Sequence, residues 1–169
     1  MKTKSTLLTG MILLGNIAFA QPANDICDDA IDISELLTGE IGAGAELGTY
    51  SNVDATGEPE LAADLVDLWF DAAAGQTEPS IDQSVWFRFT GDGGVYQMIT
   101  GNWCAGSAMY ADDTQMALYS GACDDLTLVT ANDDMAYMWA SEWGWWYSFL
   151  NFKAEEGVEY WLMVDGYNH

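Results

Sequence analysis

The chain has 169 residues, with 4 lysines and arginines against 27 aspartates and glutamates, a formal charge of −23 at pH 7. So acidic a surface repels nucleic-acid phosphates and anionic lipid headgroups, which sets both aside as partners. After residue 20 no apolar run approaches the roughly 20 residues that a membrane helix needs, so no membrane span is expected.

The first twenty residues read as a secretory signal peptide. Lys2 and Lys4 give a basic start, residues 7–17 are mostly apolar, and Ala18-Phe19-Ala20 supplies small residues for cleavage. The expected product is a secreted or cell-surface protein formed by one module, residues 21–169, long enough for a sizeable core. Only Arg88 and Lys153 then face the 27 acids, a charge of −25. Such a surface suits saline or calcium-containing water, and equally serves plain solubility.

Residues 21–34 form an acidic lead-in, in which Ala30, Ile31 and Ile33 can begin an edge strand. Gly39, Gly42, Gly44 and Gly48 then break any periodicity, leaving at most a short strand over 45–51. Between 52 and 83 the chain is rich in Asp, Glu, Ala and Gly. Within it Leu61, Leu65, Leu68 and Trp69 stand at helical spacing behind Glu58 and Pro59, which suit a first helical turn. The stretch near 58–74 is read as a short amphipathic helix or a loop insertion.

The β pattern is clearer from residue 84 onward. Over 84–90 Val85, Phe87 and Phe89 alternate with Trp86, Arg88 and Thr90, and after Gly91-Asp92-Gly93-Gly94 a strand returns over 95–100. Residues 112–134, DDTQMALYSGACDDLTLVTANDD, hold two strands, 114–119 and 126–131, around a turn. An aromatic- and methionine-rich excursion follows over 135–144. Alternation resumes with Trp146, Ser148, Leu150 and Phe152 on one face, and again with Tyr160, Leu162 and Val164 opposed to Trp161 and Met163. Many short strands with Gly and Asp turns predict an all-β fold, an antiparallel β-sandwich or jelly roll. Such a sandwich buries Trp86, Trp146 and Trp161 between its sheets. The chain stops just after a strand, which leads to the expectation of a missing final strand beyond His169.

Cys27, Cys104 and Cys123 make an odd count for an exported chain. Cys104 and Cys123 flank the strand at 114–119 and are the expected disulfide, leaving Cys27 over. Its partner would lie in absent sequence, or all three would be reduced; spacing alone does not fix the pairing, and no CxxC or Cys/His spacing suggests zinc.

A hairpin brings its outer ends together, so Asp112 and Asp113 should lie beside Asn132, Asp133 and Asp134. Calcium takes six to eight oxygens from such groups, and crowded carboxylates repel without a cation. These five residues are the candidate calcium ligands. The competing and favoured reading is that Asp and Asn simply end strands and bond nearby backbone. A second acidic group, Asp25, Asp28 and Asp29, carries less weight. Trp139, Trp143 and Trp145, in the crowded aromatic segment on and just after the excursion, are the candidate ligand-binding residues, set against ordinary core packing. Catalysis has no comparable signal. His169 is the only histidine and stands last, so no Ser-His-Asp or Cys-His arrangement is supported.

The segments PANDIC, SVWFRFT, DTQMALYSGAC, NDD and AEEGVEYWLMVDGY occur in this order over most of residues 22–167. Together they resemble secreted β-sandwich modules similar to bacterial pre-peptidase C-terminal domains. The resemblance implies a non-catalytic accessory module of a larger secreted protein, with extracellular polysaccharide or protein as partner. Relatives usually continue past the DGY with a Gly-containing turn and a last strand. The insertion at about 54–80 and the tryptophans at 139–146 depart from the pattern. Two rival readings are a fragment of a secreted carboxylate-dependent glycoside hydrolase and a purely structural spacer.

Overall fold

The computed structural model describes residues 21–37, 47–66, 68–69, 79–100, 113–134 and 147–166. Seven strands are present among them: β1 (Ile31–Asp32), β2 (Val85–Thr90), β3 (Val95–Ile99), β4 (Thr114–Ala122), β5 (Asp125–Asn132), β6 (Phe149–Lys153) and β7 (Glu159–Gly166). They form a five-stranded sheet in the order β1-β2-β7-β4-β5 and a two-stranded sheet of β3 with β6. Every pairing is antiparallel except β1 with β2. The fold is therefore the expected all-β sandwich.

Strand alternation decides what fills it. Val85, Phe87 and Phe89 of β2, Met116 and Leu118 of β4, and Tyr160 and Leu162 of β7 point to one face of the large sheet. There they meet Met98 of β3 and Leu150 and Phe152 of β6 in one buried cluster. Phe89 sits at its aromatic centre, with ring centroids 5.2 Å from Tyr160, 5.9 Å from Tyr96 and 6.0 Å from Phe152. Such offset and tilted ring pairs are favourable beyond the area they bury.

The alternate residues are buried as well. Trp86, Ala117, Tyr119, Trp161 and Met163 project from the opposite face of the large sheet, beneath Leu65, Trp69 and Ile81. Trp86 and Trp161 are thus structural, yet they lie outside the space between the sheets, under a third layer; Trp146 lies outside the described residues. Each buried indole has an acceptor, as a desolvated N–H requires. Trp69 Nε1 donates to the Met116 carbonyl at 3.0 Å, Trp86 Nε1 to Glu58 Oε1 at 3.0 Å, and Trp161 Nε1 to the Gly121 carbonyl at 3.0 Å.

That third layer is the stretch read as a helix or insertion. It forms a 3₁₀ turn, Pro59–Asp64, closed by Leu61 N to Glu58 O at 3.0 Å and Leu65 N to Ala62 O at 3.1 Å. One wider turn follows, Trp69 N to Leu65 O at 2.9 Å. Proline fixes the entry of the turn, and the 3₁₀ turn with the wider one after it leaves Leu65 and Trp69 buried while Leu68 stays 44% exposed. The apolar residues act as a plug rather than as a helical stripe. Gly57 permits the close approach beneath it, since a Cβ there would stand 1.8 Å from the Ile81 carbonyl oxygen.

The acidic lead-in protects an edge. Asn24 is buried, its carbonyl accepting from Trp86 N at 2.8 Å and its side-chain amide donating to the Trp86 carbonyl at 3.0 Å. This extends the cover that β1 gives to the open side of β2. The same lead-in carries Cys27 to the turn after β4, where it is bonded to Cys123 with Cα atoms 5.7 Å apart. The expected Cys104–Cys123 pair is therefore corrected. Flanking a strand sets two cysteines apart along its length, whereas the lead-in crosses the sheet to reach Cys123. Cys104 lies outside the described residues. Among the described residues no helix is long and apolar enough to cross a membrane.

Candidate metal site at the end of the central hairpin

The β4–β5 hairpin runs from Met116 opposite Asn132 to Ala122 opposite Asp125, with a bulge where Leu118 pairs with Thr130 and Tyr119 with Leu128. Its open end gathers acids. Carboxylate oxygens of Asp113, Asp133 and Asp134 all lie within 4.8 Å of one another, with Asp113 and Asp133 half-buried and Asp134 exposed. Ligands about 2.3–2.6 Å from one calcium ion can span this separation, and three carboxylates would supply part of a six- to eight-oxygen shell. Asp112 lies outside the described residues.

Asn132 has another task. Its Oδ1 accepts from Phe149 N at 2.8 Å and its Nδ2 donates to the Asp134 carbonyl at 3.0 Å. The side chain thus ties the end of β5 to β6 and shapes the turn carrying the acids.

Hydroxyl groups brace the same end. Ser148 Oγ lies against the carbonyls of Thr114 and Asp133, the latter at 2.9 Å. Ser148 N donates to Thr100 Oγ1 at 3.0 Å, and Thr100 N returns a bond to the Ser148 carbonyl at 3.1 Å. The Thr100 and Thr114 hydroxyls are themselves bonded. The small sheet is stitched to the large one where the three carboxylates meet, so their spacing is set by both sheets.

The second acidic group of the sequence is dispersed. Asp25 accepts from Thr56 N at 2.5 Å and from its hydroxyl at 2.9 Å, anchoring the covering layer. Asp28 instead borders a shallow groove of about 390 Å³ beside the disulfide, together with Glu58, Glu60 and Asp124. Trp139, Trp143 and Trp145 lie outside the described residues.

Two carboxyl groups that the sequence reading passed over are held in unusual surroundings. Glu58 receives the Ser84 hydroxyl and the Trp86 indole, and burial raises its pKa against those two bonds. Asp165 is 1% exposed and accepts from Gln83 N at 2.9 Å and Asp82 N at 3.3 Å. Burial pushes it up to about 6, with Asp82 adding repulsion and the backbone donors opposing. The signal was present in the alternation of the last strand, which puts Asp165 on the face of Trp161 and Met163.

No family model matches the chain, and neither a curated protein nor a solved structure matches it. What fold and site define together is an acidic, three-layered β-sandwich with a carboxylate cluster at one end of its central hairpin.

Proposed function

We propose that the protein is a non-catalytic extracellular accessory or binding module, a rigid scaffold stabilised by calcium that presents loops to polysaccharide or protein. The observation that carries this reading is the Asp113–Asp133–Asp134 cluster, fixed by Asn132 and Ser148 at the junction of both sheets. Three close carboxylates in a chain with so few cations favour a divalent ion, which would relieve their repulsion and lock the loops that leave the hairpin. The ion would act by charge neutralisation and cross-linking of chain segments. Its site precedes in sequence the aromatic excursion that begins at residue 135, on which the binding reading rests.

The carboxyl groups with raised pKa support a scaffold over a hydrolase. A general acid must reach its substrate, whereas Asp165 is sealed against backbone donors and Glu58 is engaged by Ser84 and Trp86. The test is co-sedimentation of the secreted protein with insoluble polysaccharides, followed by a reducing-sugar assay on the supernatant. Binding without sugar release is expected, weakened by joint substitution of Trp139, Trp143 and Trp145. Sugar release abolished by a single Asp or Glu substitution would replace this reading with the hydrolase.

A further inference from the structure

The large sheet buries a second polar pair on its covered face. Gln115 of β4 stands directly opposite Asp165 of β7 in the register. They are 2% and 1% exposed, and opposed residues on one face of a sheet have Cβ atoms only about 4.5–5.5 Å apart. Gln115 Nε2 reaches toward the Trp69 carbonyl at 3.5 Å, while its Oε1 is buried without a hydrogen-bond donor. A buried amide oxygen left so is costly, and a proton on Asp165, opposite it on the same face, would remedy it.

The charges around Asp165 are all of one sign. Asp82 and Glu58 act on it from the covering layer, and Asp113 stands just ahead of β4, two residues before Gln115. Ser84, immediately before β2, adds no charge. The two cations of residues 21–169 lie elsewhere. Arg88 is paired with Asp32 at 3.2 Å and reaches Glu159 at 4.0 Å, and Lys153 is exposed on β6 in the other sheet. A buried carboxylate with no counter-ion is expelled from its charged form.

We infer that at mildly acidic pH Asp165 is a neutral acid in the folded protein, its Oδ2–H donating to Gln115 Oε1, and that this bond is a pH-sensitive latch on the covering layer. The geometry assigns the two oxygens different tasks. Oδ1 holds the shorter bond, to Gln83 N at 2.9 Å, and Oδ2 the longer, to Asp82 N at 3.3 Å, leaving Oδ2 to carry the proton. With the proton in place, residues 82–83 are clamped to β7 while Gln115 holds the Trp69 end to β4. Loss of the proton leaves a bare charge under the layer beside Asp82 and Glu58, and the layer loosens.

The sign follows from a pKa raised from 3.8 to about 6. Stability is greatest below the unfolded value and declines as pH rises through the folded value. The test compares melting temperatures of the wild type and Asp165→Asn from mildly acidic to mildly alkaline pH. The asparagine keeps an acceptor for Gln83 N, and its amide can donate to Gln115 permanently. Wild-type melting temperature should fall relative to the variant as pH rises, with a midpoint near 6, and the variant should be the more stable at alkaline pH. Exchange of the Asp82 and Gln83 amides, corrected for intrinsic rate, should quicken over the same interval in the wild type alone. Parallel melting profiles would overturn the latch. Should the variant not fold, ¹³C titration of the wild-type carboxyl decides: a midpoint above about 5 supports the neutral acid, and one below that, in the ordinary range, overturns it.

Discussion

Trp69→Ala will cost about 3–5 kcal/mol of unfolding free energy, the range for truncating a fully buried large aromatic. Trp69 is completely enclosed against the outer face of the large sheet, and its indole nitrogen satisfies the Met116 carbonyl. Alanine would leave both a void and an acceptor without its indole donor near the start of β4. Urea unfolding followed by intrinsic fluorescence measures the effect, and Leu68→Ala is the control. Leu68 is next in sequence but largely exposed, so its loss should cost well under half as much. Equal effects for the two would mean that the covering layer is not docked as described.

The disulfide carries the second large effect. Cys27 and Cys123 are 96 residues apart, and a loop of that length restrains the unfolded chain by about 4–5 kcal/mol in the chain-entropy account, within a measured range of about 2–5. Cys27→Ser, Cys123→Ser and the double variant should therefore be destabilised alike, since each removes the same bond. Peptide mapping without reduction should recover a linked pair containing Cys27 and Cys123. A Cys104–Cys123 bond would give the opposite pattern, with Cys27→Ser harmless and Cys104→Ser costly.

The central hairpin was legible because its information is local. Strict alternation, a turn rich in Gly and Asp, and acids at both ends sufficed to bring Asp113 to Asp133 and Asp134. The lead-in strand at Ile31 and the inward faces of β2 and β7 followed from the same period of two. What escaped depends on contacts distant in sequence. Leu61, Leu65 and Trp69 fit a helix as well as a plug, and only the outer face of the sheet, with Trp86 and Trp161 upon it, decides between them. A sandwich reading assigns one buried face to each sheet, so it placed those tryptophans between the sheets. The covering layer gives the large sheet two. Cys27 finds Cys123 because the lead-in runs beside β2 and on to the hairpin turn, a path that no spacing encodes. The structural task of Asn132 escaped as well, since its bond to Phe149 N exists only once β6 is beside β5.

Eight of the acids among the described residues fall into three kinds by their contacts. Asp25, Glu58 and Asp165 are spent on holding the covering layer and the lead-in. Asp32 and Glu159 share the Arg88 guanidinium, in exposed pairs of the kind worth at most about 1 kcal/mol. Asp113, Asp133 and Asp134 converge on one another.

The melting temperature in millimolar calcium against excess chelator tests the metal-stabilised scaffold most directly. A site present only in the folded state stabilises it by about 2.7 kcal/mol at one hundred times its dissociation constant, a rise of roughly 5–10 °C for a domain of this size. The wild type should show that rise. Asp133→Asn combined with Asp134→Asn should abolish it, while making the calcium-free protein more stable by removing the repulsion. An unchanged wild-type melting temperature, or a rise that survives in the double variant, would contradict a cation held by these three carboxylates.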